Sequence, residues 1–173
     1  MAKHGAIIAV LLLSLLSPAA MGSAAVLTDP TGLYSTFIGD HWVYQAHHSS
    51  TDLMVFYGEA DHELLYFQRL GPVAYSSARD FAQRSVELYG APGGLEEFQL
   101  VGDFQAVEVA GEWGVSCSYS YQDGQGNTLW EYRIFLVLPG GEGFSIAFSD
   151  SKPEAADLPL LLEDILHHWR WLF

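Results

Sequence analysis

Adjacent histidines occur twice, as His47-His48 and as His167-His168 in the closing stretch ILHHWRWLF, and each pair raises the prospect of a metal site. Successive side chains on a helix point about 100° apart and those on a strand point to opposite faces, so neither pair can converge on one ion. Helical ligand pairs use an i, i+4 spacing instead. One of His47 and His48 could combine with His41 or His62 on the surface, but zinc needs three or four ligands in defined spacing, and no such set is present. His167 follows Asp164 and Glu163 by three and four residues near a helix end, where the dipole favours a protonated imidazole, so a structural role is expected. No metal ligand is assigned.

The other suggestive segments reduce to structure in the same way. GVSCS, residues 114–118, approaches the G-x-S-x-G nucleophile elbow, but Ser118 stands where the second glycine belongs. The segment also lies inside an alternating strand, not at a strand-to-helix turn. Cys117 falls on the bulky face of that strand, where a thiol is inert and its pKa, if anything, raised. PGGEG (139–143) and DGQGN (123–127) lack the G-x-x-x-x-G-K-[ST] order of a phosphate loop, and no helix opens after either, so both are expected to be hairpin turns. DGQGN also lacks the ligand string and late glutamate of an EF-hand, which leaves room for a single weak calcium contact only. Glu96-Glu97 and Glu163-Asp164 are sequence neighbours and do not face each other across a cleft as glycosidase acids must. Solvated charge is the expectation there, and no catalytic residue, cofactor-binding residue or cofactor is assigned.

These segments sit in a legible order of elements. YSTFIGDHWVYQ (34–45) reads as a strand, a turn at Gly39-Asp40 and a second strand start bearing Trp42 and Tyr44. LMVFYGEA and ELLYFQRL, from Leu53 and Glu63, read as a hairpin about Asp61-His62. From Ser76 the period becomes helical, with Ala78, Phe81, Ala82, Ser85 and Leu88 or Tyr89 on one side. Ser77 and Asp80 resemble a capping box, and Gly90 and Pro92 supply the stop. FQLVGDFQAVEV, EWGVSCSYSY, TLWEYRIFLVL and GFSIAFS form a four-strand meander between residues 96 and 149. Its second strand sets Trp113, Val115, Cys117, Tyr119 and Tyr121 toward the core, against a small face of Gly114, Ser116, Ser118 and Ser120 that is either wet or closely covered. Leu158, Leu161, Leu162, Ile165 and Trp169 then make a stripe that predicts a helix of roughly 155–168, with Pro153 or Pro159 in its first turn.

The N-terminus has a basic start at Lys3, an apolar run from Ala6 to Leu16, and the small residues Ser23, Ala24 and Ala25 of a secretory signal peptide. Residues 1–25 are expected to be removed and 26–173 to form one domain, periplasmic or secreted. The apolar run is shorter than the roughly 20 residues of a membrane span, and no later segment replaces it. The chain has 7 Lys and Arg against 21 Asp and Glu, a net charge of −14, which argues against nucleic acid and anionic lipid as partners. A single cysteine permits no internal disulfide, so stability must come from the core.

YSTFIGDHW, SSARDFAQRSVELYG, DFQAVEVAGEWG and LEDILHHWRWLF, in that order, resemble four parts of the PsbP-like superfamily: its opening strand and tryptophan, middle helix, entry to the meander, and closing helix with tail. That superfamily includes photosystem II extrinsic proteins, a nuclear Ran-binding import factor and bacterial secreted or lipoprotein relatives. The resemblance implies an α+β fold, an antiparallel β-sheet of about six to seven strands packed with two main helices in an αβα sandwich. It carries over no catalytic motif and implies action by binding another protein. The expected function is a secreted or periplasmic, non-catalytic protein-binding or assembly accessory module. The alternatives are a small-molecule or carbohydrate binder with an aromatic pocket between sheet and helix and, third, a hydrolase.

Overall fold

The structure, a computed structural model, describes residues 25–59, 62–152 and 162–173. The expected signal peptide up to residue 24 lies outside the described residues, as do Asp61 of the first hairpin turn and Pro153, Leu158, Pro159 and Leu161 of the expected closing helix.

Seven antiparallel strands make the main sheet, ordered β3-β4-β5-β9-β8-β7-β6. They are β3 (Val43–Tyr44), β4 (Leu53–Tyr57), β5 (Leu64–Pro72), β6 (Glu96–Val109), β7 (Glu112–Gln122), β8 (Thr128–Leu138) and β9 (Glu142–Asp150). A smaller sheet, β1 (Ala25–Thr28), β2 (Tyr34–Ile38) and β10 (Arg170–Trp171), is ordered β1-β2-β10. Helix α1 (Ala78–Tyr89) joins β5 to β6, and α2 (Glu163–His167) precedes β10. This is the expected α+β architecture, with the small sheet and α2 over one face of the main sheet and α1 over the other.

Alternation along the strands divides the interior into two cores. On one face Phe56, Phe67, Ile134, Leu136, Phe144, Ile146 and Phe148 meet Tyr34, Ile38, Leu162, Ile165 and Trp169. Trp169 is fully buried, stacks on Tyr34 at 4.4 Å and meets the edge of Phe67 at 5.1 Å. On the other face Phe81 and Ala82 of α1 pack on Val115, Cys117, Tyr119, Tyr121 and Phe135. Burial of each such large side chain is worth about 1.5–3 kcal/mol, so stability without a disulfide is accounted for by packing.

The turns and caps follow from local chemistry. Ser77 caps α1 by accepting the Asp80 N–H at 3.1 Å, and the Gly90 N–H closes the helix onto the Val86 carbonyl. Asp123 organises the β7–β8 turn, one oxygen accepting the N–H groups of Gln125 and Asn127 and the other the Asn127 amide. Ala110 and Gly111, with φ of 51° and 91°, form a two-residue turn of the primed type between β6 and β7.

One expectation is corrected, and the alternatives left open are decided. Trp113 shares a face with Val115 and Cys117 but is 67% exposed, because α1 begins at Ala78 and its first inward ring, Phe81, packs on Phe135, leaving the Trp113 row uncovered. Leu88 points outward and Tyr89 inward from the end of α1. The small face of β7 is closely covered: Ser116 and Ser120 are buried, and a Cβ on Gly114 would lie 2.7 Å from the Phe135 carbonyl oxygen. The described part of the closing helix is only Glu163–His167, so Trp169 reaches the core from beyond the helix end, where β10 pairs with β2. β1 begins at Ala25 and pairs with β2 from that residue onward.

Candidate functional site

The residues singled out from the sequence do not assemble. His167 and His168 turn their rings edge to face, and His168, not His167, reaches back, with Nδ1 at 2.7 Å from the Asp164 carbonyl oxygen. His167, Glu163 and Asp164 are exposed. His41 lies against Trp42, and His48 stacks on Tyr57 at 5.8 Å. Among the described residues no three His, Cys, Asp or Glu side chains gather as a metal site would require. Cys117 is buried, and desolvation, followed by the nearby Glu131 carboxylate, pushes its thiol up to about 12. Glu96 and Glu97 are exposed at the start of β6, where Glu97 takes a positive φ in an irregular stretch.

Two arrangements not anticipated from the sequence carry the chemistry of this molecule. The first is an ion pair inside the fold. Glu131 and Arg133, two residues apart on β8, share the α1 face and are 3% and 2% exposed. Arg133 Nε donates to Glu131 Oε1 at 2.9 Å, and the same oxygen accepts the hydroxyls of Tyr66, at 2.8 Å, and Tyr119. The guanidinium also donates to the hydroxyls of Tyr89, at 2.5 Å, and Tyr66, and stands 5.0–5.7 Å from the ring centres of Tyr66, Tyr89 and Phe135. Burial drives the carboxyl up from its ordinary range and the guanidinium down, while the hydroxyls of Tyr119 and Tyr121 pull the carboxyl back. With four tyrosines around its buried charges, this cluster joins α1 to β5, β7 and β8.

The second arrangement is the end of the main sheet that carries the β6–β7 and β8–β9 turns. Exposed apolar side chains lie at this end on both faces of the sheet: Trp113 beside the first turn on the α1 face, Leu70 at a bulge near the end of β5, and Leu172 and Phe173 after β10, where Phe173 lies on the Trp171 side. The tail is fastened to this end, since the Trp171 indole donates to the Val109 carbonyl at 2.8 Å and the Leu172 N–H to the Leu33 carbonyl. Phe173 stacks on Trp171 at 5.7 Å. An open cleft of about 600 Å³ lies at the same end, lined by Asp52, Arg69, Leu70, Pro72, Pro139 and Glu142. Arg69 and Glu142 neutralise each other across it at 2.6 Å, and no aromatic ring lines it. The space between the sheet and α1, where an aromatic ligand pocket was the alternative expectation, is filled by Phe81, Tyr89, Tyr119 and Phe135.

The arrangement of strands and layers has clear counterparts among solved structures. The Ran-binding protein Mog1p of Saccharomyces cerevisiae superposes with a TM-score of 0.61 at 12% identity, over 87% of this chain and 96% of that one. Cyanobacterial PsbP (CyanoP) from Synechocystis does so with a TM-score of 0.61 at 14% identity, over 92% and 98% of the two chains. The chain has the PsbP-like fold. A third protein similar to this PsbP-like chain, LpqN of Mycobacterium tuberculosis, involved in cell envelope biogenesis, gives a TM-score of 0.52 at 14% identity over 87% and 91%. No family model matches the chain, and no curated protein sequence does. No helix among the described residues is long and apolar enough to cross a membrane.

Proposed function

We propose that this PsbP-like chain is a non-catalytic, extracytoplasmic module that binds another protein through the turn-bearing end of its main sheet. The observation that carries the reading is a separation of chemistry. Among the described residues the Glu131–Arg133 cluster is buried beneath α1, whereas large apolar side chains are exposed at one end of the sheet, Trp113 and Phe173 at 67% and 62%. An enzyme needs reactive groups that a substrate can touch, and a protein-binding surface needs exposed apolar anchors. The naming of Mog1p as a Ran-binding protein supports a protein partner for this fold. The basic, apolar and small-residue regions of residues 1–25 support export.

The test uses two thiol variants, each carrying a photo-cross-linker, exposed to the cell envelope contents of the native host. Glu112→Cys lies at the proposed surface next to Trp113, and Gln125→Cys is exposed at the opposite turn end; Cys117 is buried and stays unlabelled. A discrete adduct from position 112 and none from position 125 is the expected result. Equal labelling at both positions, or none at either, would refute the assignment.

A further inference from the structure

The partner surface carries a chemical preference, and the following inference rests on the binding-module reading above. Among the described residues β6 is the last strand of the main sheet, with a hydrogen-bonded neighbour, β7, on one side only. Much of its free edge is guarded. Register shifts between Glu96 and Gln99 and between Val101 and Gln105, with Gly102 at a φ of 71°, break the regular ladder over its first part. Bulges of this kind discourage another strand from adding. The remaining segment, Gln105 to Val109, pairs with β7 without interruption, from Gln105 opposite Ser116 to Val109 opposite Glu112. Its ladder is regular, and apart from the buried Val109, whose carbonyl accepts the Trp171 indole, its residues are exposed or half-buried.

The two-residue turn at Ala110-Gly111 sets which groups that edge offers. Val109 and Glu112 close the hairpin as a hydrogen-bonded pair, so the alternation of an antiparallel ladder makes Glu108 with Trp113, and Ala106 with Val115, the non-hydrogen-bonded pairs. The backbone N–H and C=O of Glu108 and Ala106 therefore point away from β7. In a non-hydrogen-bonded pair the two side chains approach each other most closely, which sets the Glu108 carboxylate beside the exposed Trp113 indole on one face. Neither Glu108 nor the adjoining Glu112 has a salt-bridge partner among the described residues. A carboxylate next to an open indole face is suited to an arginine or lysine, by charge and by cation–π attraction together.

We propose that Gln105–Val109 accepts an extended, basic segment of the partner protein as an additional antiparallel strand, with an arginine or lysine opposite Glu108 and against Trp113. Backbone pairing with Ala106 and Glu108 supplies the generic attraction, and the carboxylate–indole pair selects the cation. The chain's net charge of −14 steers the same partner toward it.

The experiment titrates isotope-labelled protein with a peptide of alternating arginine and valine, followed by amide and indole resonances, beside a peptide of alternating glutamate and valine. The arginine peptide should shift the amides of Gln105–Val109 and the Trp113 indole together, and the glutamate peptide should shift neither. Removing the cation site with Glu108→Gln and Trp113→Ala should weaken binding about tenfold, the combined size of an exposed ion pair and a cation–π contact. Ala106→Pro keeps every charge but deletes an outward N–H, a change an edge strand tolerates, and should abolish the amide shifts. Shifts scattered over all acidic residues, or binding unchanged in Ala106→Pro, would overturn strand addition. If the peptide fails while the thiol at position 112 still captures a partner, the chemistry proposed here falls alone; if both fail, the binding-module reading falls with it.

Discussion

The buried pair on β8 makes an asymmetric prediction, because its two members differ in how they respond to losing each other. Glu131→Gln leaves Arg133, 2% exposed, without a counter-charge, and a guanidinium does not shed its proton at neutral pH. Stranding one partner of a buried pair costs about 3–5 kcal/mol. Here Arg133 retains the Tyr66 and Tyr89 hydroxyls and three ring faces within 5.7 Å, so the low end, about 3 kcal/mol, is expected. For a domain of this size that corresponds to a fall in melting temperature of about 6–12 °C. Arg133→Met instead strands a carboxyl that can take up a proton, leaving mainly the two unpaired hydroxyl acceptors, about 1–3 kcal/mol. In that variant the folded-state pKa of Glu131 lies above its unfolded value, so stability is highest below the ordinary carboxylate range and falls as pH rises through the raised value. Denaturant melts across pH 5 to 9, about the span that brackets this shift, should show the Arg133→Met deficit growing with pH and the Glu131→Gln deficit not growing, since burial lowers the Arg133 guanidinium. A Glu131→Gln cost below about 1 kcal/mol would refute the reasoning, since it would mean that Arg133 needs no counter-charge there.

Trp169→Ala should cost about 3–5 kcal/mol as a fully buried ring replaced by a cavity, whereas exposed His167→Ala should cost less than about 1 kcal/mol in the same melts. The Cys117 thiol should label slowly in the folded protein at neutral pH and rapidly once unfolded, because burial holds it at about 12. Burial also raises the pKa values of Tyr34, Tyr89, Tyr119 and Tyr121, so their contribution is intact below the unfolded tyrosine value of about 10 and is lost as pH rises further. Thermal melts should therefore show steep alkaline destabilisation above about pH 10. Gly114→Ala should destabilise the protein measurably by equilibrium unfolding, since its Cβ would meet the Phe135 carbonyl oxygen at 2.7 Å.

Local pattern made most of the elements legible. The Ser77 cap, the helical period through Phe81 and Ser85, and the glycine turns of the meander each report on residues close in sequence, and the structure places them as expected. What local pattern omits is where one layer stops. The alternation assigned Trp113 to the correct face of β7, but its exposure depends on where α1 begins relative to Phe135, which no property of β7 encodes. The Glu131–Arg133 cluster was overlooked for a related reason. Within TLWEYRIFLVL the strand reads as apolar, and two opposite charges at spacing two are its only local sign of a buried pair on one face. Their partners, Tyr66, Tyr89 and Tyr119, come from β5, α1 and β7, and only the assembled register brings them together. The same holds for the proposed surface, whose apolar residues lie on β5, β7 and the C-terminal tail.

The most direct test of the binding-module account is to remove the displayed aromatics and ask whether binding and stability separate. Capture by the photo-cross-linker at Glu112→Cys leaves Trp113 and Phe173 free to be changed to serine together in that background. Both side chains are mostly exposed, so the double change should alter unfolding free energy by about 1 kcal/mol or less. The account predicts that the adduct is lost while the melting curve stays close to the parent's. An adduct that persists at undiminished yield in the folded double variant would contradict it.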